Sequence, residues 1–214
     1  MPDKLSIYNS ALTMLGSRKL SSLSENRPSR KALDAIWDGG FVRRLLETGQ
    51  WNSAVRAIES TYDPSYDTSD FGGYSRVHTK PSDWVRTVGL SGSENMTPPL
   101  MRYEDEADVW VCDLDTIYVR YVSDDDAFGG DVSMWAQSLV NYAECELAYR
   151  ACRAITGSDS LTEQLRVDSE RAKREAKSID QMNQPSRRPP LSSWVLSRRG
   201  SSGRGDIRST GGLV

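Results

Sequence analysis

The hydrophobic period of this chain changes twice, and that change constrains its architecture more than any other feature. The period is helical to about residue 48, two-residue from Trp51 to about residue 122, and helical again to about residue 182. Residues 3–16 carry Leu5, Tyr8, Leu12 and Leu15 at helical spacing, with Asp3 placed to cap the helix and Gly16 to end it. From Ser29 to Thr48, Ala32, Ile36, Phe41 and Leu45 make a second stripe, which Leu33, Trp37 and Leu46 widen. Gly39-Gly40 interrupts that stripe at a cost of roughly 1 kcal/mol per glycine relative to alanine, so a kink or a close helix approach is expected there.

Between the helical regions, Trp51–Glu59 alternates as a weak strand, and YDPSYDTSDFGGYSR reads as an exposed, turn-rich loop. KPSDWVRTVGL offers a short strand or turn near Trp84–Leu90. MRYE, DVWVC and TIYVRYV, within 101–122, are β-branched and aromatic runs separated by Asp-rich turns, which predicts an antiparallel meander. A long helix follows over about Asp131–Ile155, with Ala136, Leu139, Val140, Ala143, Leu147, Ala151 and Ala154 on one side and Gly157 closing it. Another starts at Ser160, where Ser160 and Glu163 have capping-box spacing, and runs to about Met182. At ~1.5 Å per residue each is roughly 35 Å long, and the short link between them makes an antiparallel hairpin. The expected fold class is therefore mainly α. Residues 1–184 form a four-helix bundle with an inserted antiparallel β-meander at about 50–122, followed by an extended basic C-terminal arm, 185–214.

Charge is divided along the chain. The net charge is -3, but residues 185–214 hold six arginines and one aspartate, about +5, which leaves about -8 for the rest. Ten acids against two arginines lie between Arg102 and Asp131. No run approaches the roughly 18 apolar residues that span a bilayer, and MPDKLSIYNSALTML lacks the pattern of a signal peptide, so a soluble protein made in a cytoplasm is expected. Cys112, Cys145 and Cys152 have no CxxC spacing and read as small buried hydrophobes.

Catalytic chemistry finds little support. A single histidine, His78 in a loop-like stretch, counts against triad and most zinc chemistry. Asp124, Asp125 and Asp126 with Asp131 do not match a calcium-loop spacing. Glu104 with Glu106, or Asp113 with Asp115, could serve as glycosidase carboxylates only if burial raised a pKa, and they fall at apparent turns. No phosphate-binding loop is present. The reading is of a protein that is not an enzyme and uses no cofactor or metal.

The arm, QPSRRPPLSSWVLSRRGSSGRGDIRSTGGLV, has the composition of a segment that does not fold alone. Its arginines, Arg187, Arg188, Arg198, Arg199, Arg204 and Arg208, suit phosphate binding, and a DNA-binding packaging accessory is one reading of them. An acidic body opposes that, and a phosphate binder does not need Leu191, Trp194, Val195 and Leu196 between its Arg-Arg pairs. A peptide that docks in a protein groove does need such an anchor.

A linear series of short motifs runs through the chain: LTMLG (12–16), GQWNSA (49–54), KPSDWV (80–85), VRYV (119–122), an acid-rich break, a helix with A-x-x-L spacing, Thr156-Gly157, a long charged helix ending near Ala176, and SWVLSR (193–198). In order and spacing this resembles the head-to-tail adaptor family of podoviruses, tail tubular protein A, related to the packaged-DNA stabilisation connectors. SDDDAFGGDVSMW departs from the family pattern, which has a proline and a phenylalanine entering the helix, so the geometry of that entry is in question. The resemblance implies a structural subunit of a dodecameric ring at the head–tail junction of a virion, assembled in the host cytoplasm. Its implied partners are the portal protein, a tail nozzle or tail tube protein and the genomic double-stranded DNA passing through, with no membrane. It implies that the arm reaches the portal through Arg187, Arg188, Leu191, Trp194, Val195, Leu196, Arg198 and Arg199. Glu104, Asp105, Glu106, Asp113, Asp115, Asp124, Asp125 and Asp126 would form an acidic region facing the tail or the lumen. A virion-associated cell-wall hydrolase using the same acids is the remaining alternative. Fully extended, the arm spans on the order of 100 Å, enough to cross a neighbouring subunit.

Overall fold

Helix formation begins where Asp3 accepts from the Ser6 backbone N–H at 2.7 Å while its own N–H donates to Ser6 Oγ at 3.0 Å, a reciprocal cap. The helix α1, Lys4–Met14, buries Ile7, Tyr8, Ala11 and Leu12. It ends in a Schellman arrangement, with Ser17 N–H on the Leu12 carbonyl and Gly16 N–H on that of Thr13. The computed structural model describes residues 1–67, 69 and 72–183.

The second stripe is broken at its glycines. Helix α2, Pro28–Ile36, and helix α3, Val42–Glu47, are joined by a π-turn, Trp37–Phe41. Gly40 sits there at φ 84°, a left-handed conformation that glycine adopts without the Cβ penalty of other residues. Phe41 is buried immediately beyond it, so the kink keeps the apolar stripe facing inward.

Six strands follow: β1 Val55–Thr61, β2 Arg76–Thr79, β3 Trp84–Ser91, β4 Glu104–Glu106, β5 Val109–Cys112 and β6 Thr116–Ser123. They form two three-stranded antiparallel sheets, β1-β6-β3 and β2-β5-β4. The expected meander over 101–122 is therefore corrected. β4 and β5 pair as a hairpin, but β5 and β6 do not pair, and each is the central strand of a different sheet. The Asp113–Asp115 link carries the chain from one sheet to the other. Trp51–Ala54, expected to open a strand, is a turn, and β2 forms in a stretch expected to be loop. Leu90, Trp110, Cys112, Ile117, Val119 and Tyr121 fill a core within the β region.

After β6, Asp131 caps a short 3-10 turn, Val132–Met134, through Ser133 N–H at 2.8 Å. Helix α4 then starts at Gln137, later than Asp131, and runs to Ile155. Helix α5, Asp159–Met182, is capped by Ser158 and not by Ser160, with the Leu161 N–H donating to Ser158 Oγ at 3.3 Å. The helices share a core with Val85 of β3 and Val122 of β6.

The expected class, mainly α with a four-helix bundle, is overturned. Of the described residues 43% are helical and 19% lie in strands, and the fold is mixed α/β. The reason is length. A bundle needs helices of comparable span, whereas α1, α2 and α3 have 11, 9 and 6 residues against 19 and 24 in α4 and α5. Of the short helices α1 and α2 pack on α4, whereas α3 packs on β3 and β6, and the β region is a two-sheet body with its own core. Among the described residues no helix is long and apolar enough to cross a membrane.

Candidate functional site

The arm residues Arg187, Arg188, Leu191, Trp194, Val195, Leu196, Arg198 and Arg199 lie outside the described residues. The acidic residues are placed, and they fall into separate groups. Glu104, Asp105 and Glu106 make up β4, an edge strand, where charge discourages pairing with another chain. Asp105 is paired with Lys80. Asp113 lies 3.5 Å from Arg102, and Asp115 is paired with Arg76. Asp124 holds Arg43 at 2.7 Å, Asp125 accepts from the Ala127 N–H at 2.8 Å, and Asp126 is exposed. The Asp113–Asp115 and Asp124–Asp126 groups sit at opposite ends of β6, a strand that spans about 23 Å at ~3.3 Å per residue. Among the described residues no cluster of three or more His, Cys, Asp or Glu could hold a metal. General-acid chemistry needs a carboxyl withdrawn from water, and Glu104 is exposed.

The best-organised polar site lies in the KPSDWV motif, whose residues give no local sign of burial. KPSDWV places two charged side chains inside the protein. Asp83, 13% exposed at its side chain, accepts from Arg56 Nη1 at 3.1 Å, Tyr121 Oη at 3.1 Å and Ser123 Oγ at 2.5 Å. Its carbonyl also accepts from the Asp124 N–H at 3.1 Å. Burial pushes the Asp83 carboxyl up, but the hydrogen bonds from Ser123, Tyr121 and Arg56 together outweigh it and hold the group below the ordinary aspartate range. Burial beside Asp83 pushes the Tyr121 phenol up to about 12.

Lys80, 4% exposed at its side chain, sits 3.9 Å from the Trp84 ring centroid and 5.9 Å from that of Trp110. Its ammonium donates to the Glu106 and Ala107 carbonyls at 2.9 and 2.8 Å, and to Asp105. Lys80 thus clamps the β4–β5 turn, while Asp83, three residues on, gathers β1 and β6. One loop fastens both sheets. The signal in the sequence was a Lys and an Asp flanking Pro-Ser beside a tryptophan.

GQWNSA makes the corresponding joint to the helices. Trp51 is buried and donates from Nε1 to the Leu45 carbonyl at 3.1 Å. Asp180, near the end of α5, accepts from the Asn52 N–H at 3.1 Å, and Asn52 Nδ2 donates to its carbonyl at 2.8 Å. This ties the last helix to the turn before β1. Burial pushes the Asp180 carboxyl up, against the pull of the Asn52 N–H.

His78, expected in a loop, is fully buried in β2, with Nδ1 3.4 Å from Ser60 Oγ and Nε2 3.0 Å from the Leu114 carbonyl. The pairing with Ser60 resembles a nucleophile–base dyad only in distance, because the ring has no exposure through which a substrate would meet it. Burial holds the imidazole below its usual range, despite the Leu114 carbonyl. The neutral ring is the folded form, so this stabilisation is present above the unfolded value of 6.5 and is lost as pH falls below it. Urea unfolding of the wild-type chain should show stability declining from pH 7 toward pH 5. The decline should flatten in His78→Gln, and an equal decline in both would mean that other groups control it.

Compared with models of known protein families the chain finds no match, and compared with curated proteins it finds none.

Proposed function

We propose that this chain is a structural head-to-tail connector subunit of a tailed bacteriophage. In this reading copies form a ring between portal and tail through which the genome passes, and the subunit acts without catalysis at the head–tail junction of the virion. The observation that carries the reading is the ordered motif series across nearly the whole chain. Its members coincide with the joints of the fold: LTMLG ends α1, GQWNSA ties α3 and α5 to β1, KPSDWV fastens the two sheets, and VRYV lies in the central strand β6. A second support is the division of charge between an acidic body and a basic, tryptophan-bearing arm. In such a ring the many copies of the arm add through effective concentration, so each single contact can be weak.

The arm is the portal anchor in this account. Trp194→Ala should weaken binding to purified portal rings by about 30-fold, the size of a tryptophan hot spot worth about 2 kcal/mol. Arg171→Ala, an exposed charge on α5, should change it less than about threefold. Equal effects would remove the arm from its anchoring role.

A further inference from the structure

Three arginines from distant parts of the chain line one cleft, and among the described residues no acid lines it with them. The cleft, about 740 Å³, lies where the break between α2 and α3 faces the last turns of α4. Arg44, Arg150 and Arg153 line it together with Ala35, Ile36 and Tyr149. Its volume is that of a small-molecule site, roughly 300–1,000 Å³.

The backbone brings these cations together. Helix α2 packs on α4, and the left-handed Gly40 turns the chain between α2 and α3. Arg44 reaches back across that turn, where Nη2 donates to the Gly39 carbonyl at 2.8 Å. Arg150 and Arg153 are three residues apart on α4, so they are neighbours on one side of that helix.

Little neutralises them. Among the described residues Arg44 has no ion-pair partner. Arg153 has only Asp159, at 4.0 Å between side chains 83% and 86% exposed, a pair that contributes little. Arg150 donates from Nε to Glu146 at 2.6 Å, and among the described residues its Nη groups have no partner. Arg171 on α5 is also unpaired among the described residues, but it stands outside this cleft.

We propose that the cleft binds the phosphate group of a small organic phosphate ester. At neutral pH a phosphate monoester carries a charge of about -1.5 to -2 and three acceptor oxygens, so it can engage three guanidinium groups at once. A lone carboxylate is satisfied by one arginine fork. That every cation of the cleft is arginine and none is lysine favours planar, two-donor recognition of an oxyanion. Ala35, Ile36 and Tyr149 offer the organic part an apolar surface. The site is read from its own side chains and does not draw on the connector reading.

The test is calorimetric titration of the full-length chain at neutral pH with phenyl phosphate, inorganic phosphate and benzoate. Phenyl phosphate should bind saturably and more tightly than the other two, because inorganic phosphate lacks the apolar part and benzoate lacks the second charge. Arg44→Gln and Arg150→Gln should each weaken it about tenfold, the loss of one charge-assisted hydrogen bond. Arg44→Lys keeps the charge without the fork and should fall between wild type and Arg44→Gln. Arg171→Gln should leave the affinity unchanged. All of these side chains are exposed, so the substitutions should leave the melting temperature of the chain as it is. Absence of saturable binding by phenyl phosphate overturns the proposal, and so does binding that the cleft variants leave unchanged. Benzoate that binds as tightly would make this a carboxylate site, and inorganic phosphate that binds as tightly would remove the organic ester from it; either result contradicts the assignment.

Discussion

Asp83→Ala should lower the free energy of unfolding by about 3 kcal/mol, read by urea denaturation at neutral pH. Three donors converge on this carboxylate, Arg56, Tyr121 Oη and Ser123 Oγ, and Tyr121 and Ser123 are fully buried. Removing the acceptor strands both hydroxyls and leaves Arg56 without its ion pair, and breaking such a group costs more than its net contribution when intact. Arg56 is 36% exposed and stacks at 5.1 Å on Phe128, so water and the ring relieve part of its loss, which places the effect toward the lower end for a buried pair. The acid limb of the pH profile should change as well. The Asp83 carboxyl is held below its ordinary range in the fold, so its contribution is present above the unfolded aspartate value and is lost as pH falls through the folded one. The variant should lack that loss below about pH 4. A loss under about 1 kcal/mol would mean that the sheets are held by their apolar core alone.

Gly129→Ala should cost about 2–4 kcal/mol, because its surroundings cannot yield cheaply. A Cβ there would overlap the Ser123 carbonyl oxygen and lie 2.8 Å from both Ala54 Cβ and Leu46 Cδ1. The segment is fixed on either side: the Gly130 N–H and Phe128 N–H both donate to the Asp125 carbonyl at 2.9 Å, and Trp135 Nε1 donates to the Gly129 carbonyl at 2.9 Å. Relief would have to move the backbone that carries the chain from β6 toward α4. Gly89→Ala is the control, since a Cβ on that β3 glycine meets nothing within 4 Å and a strand alanine is favoured over glycine. Comparable destabilisation by both substitutions would show that close approach is not what Gly129 provides.

The helical part of the fold was legible because its signal is local. The stripes of α1, α4 and α5 lie within single segments, and the double glycine announced the break between α2 and α3. The end of α4 was read at Gly157, yet the cap of α5 was placed on Ser160 when Ser158, nearer that glycine, performs it. Sheet pairing was not legible. Val55 pairs with Val122 and Trp84 with Ser123, so the partners of β6 lie far back in the chain, while the adjacent β5, which spacing suggested, belongs to the other sheet. β2 was hidden because RVHT is short and follows a turn-rich stretch. The roles of Lys80 and Asp83 are not legible in KPSDWV, since charged residues are ordinarily placed at the surface and nothing local reveals that their partners come from other strands. The acidic residues were visible as a composition, but the fold sets the Asp113–Asp115 and Asp124–Asp126 groups at opposite ends of β6, and four of the eight are matched with a basic side chain.

The connector account is tested most directly by mixing the purified chain with portal rings of the same phage and reading the mass of the complex, beside a version truncated after Gln184. The account predicts that the full chain adds a complete ring of copies, with the dodecamer expected, and that the truncated chain adds few. Portal rings that gain no mass from either version would contradict it.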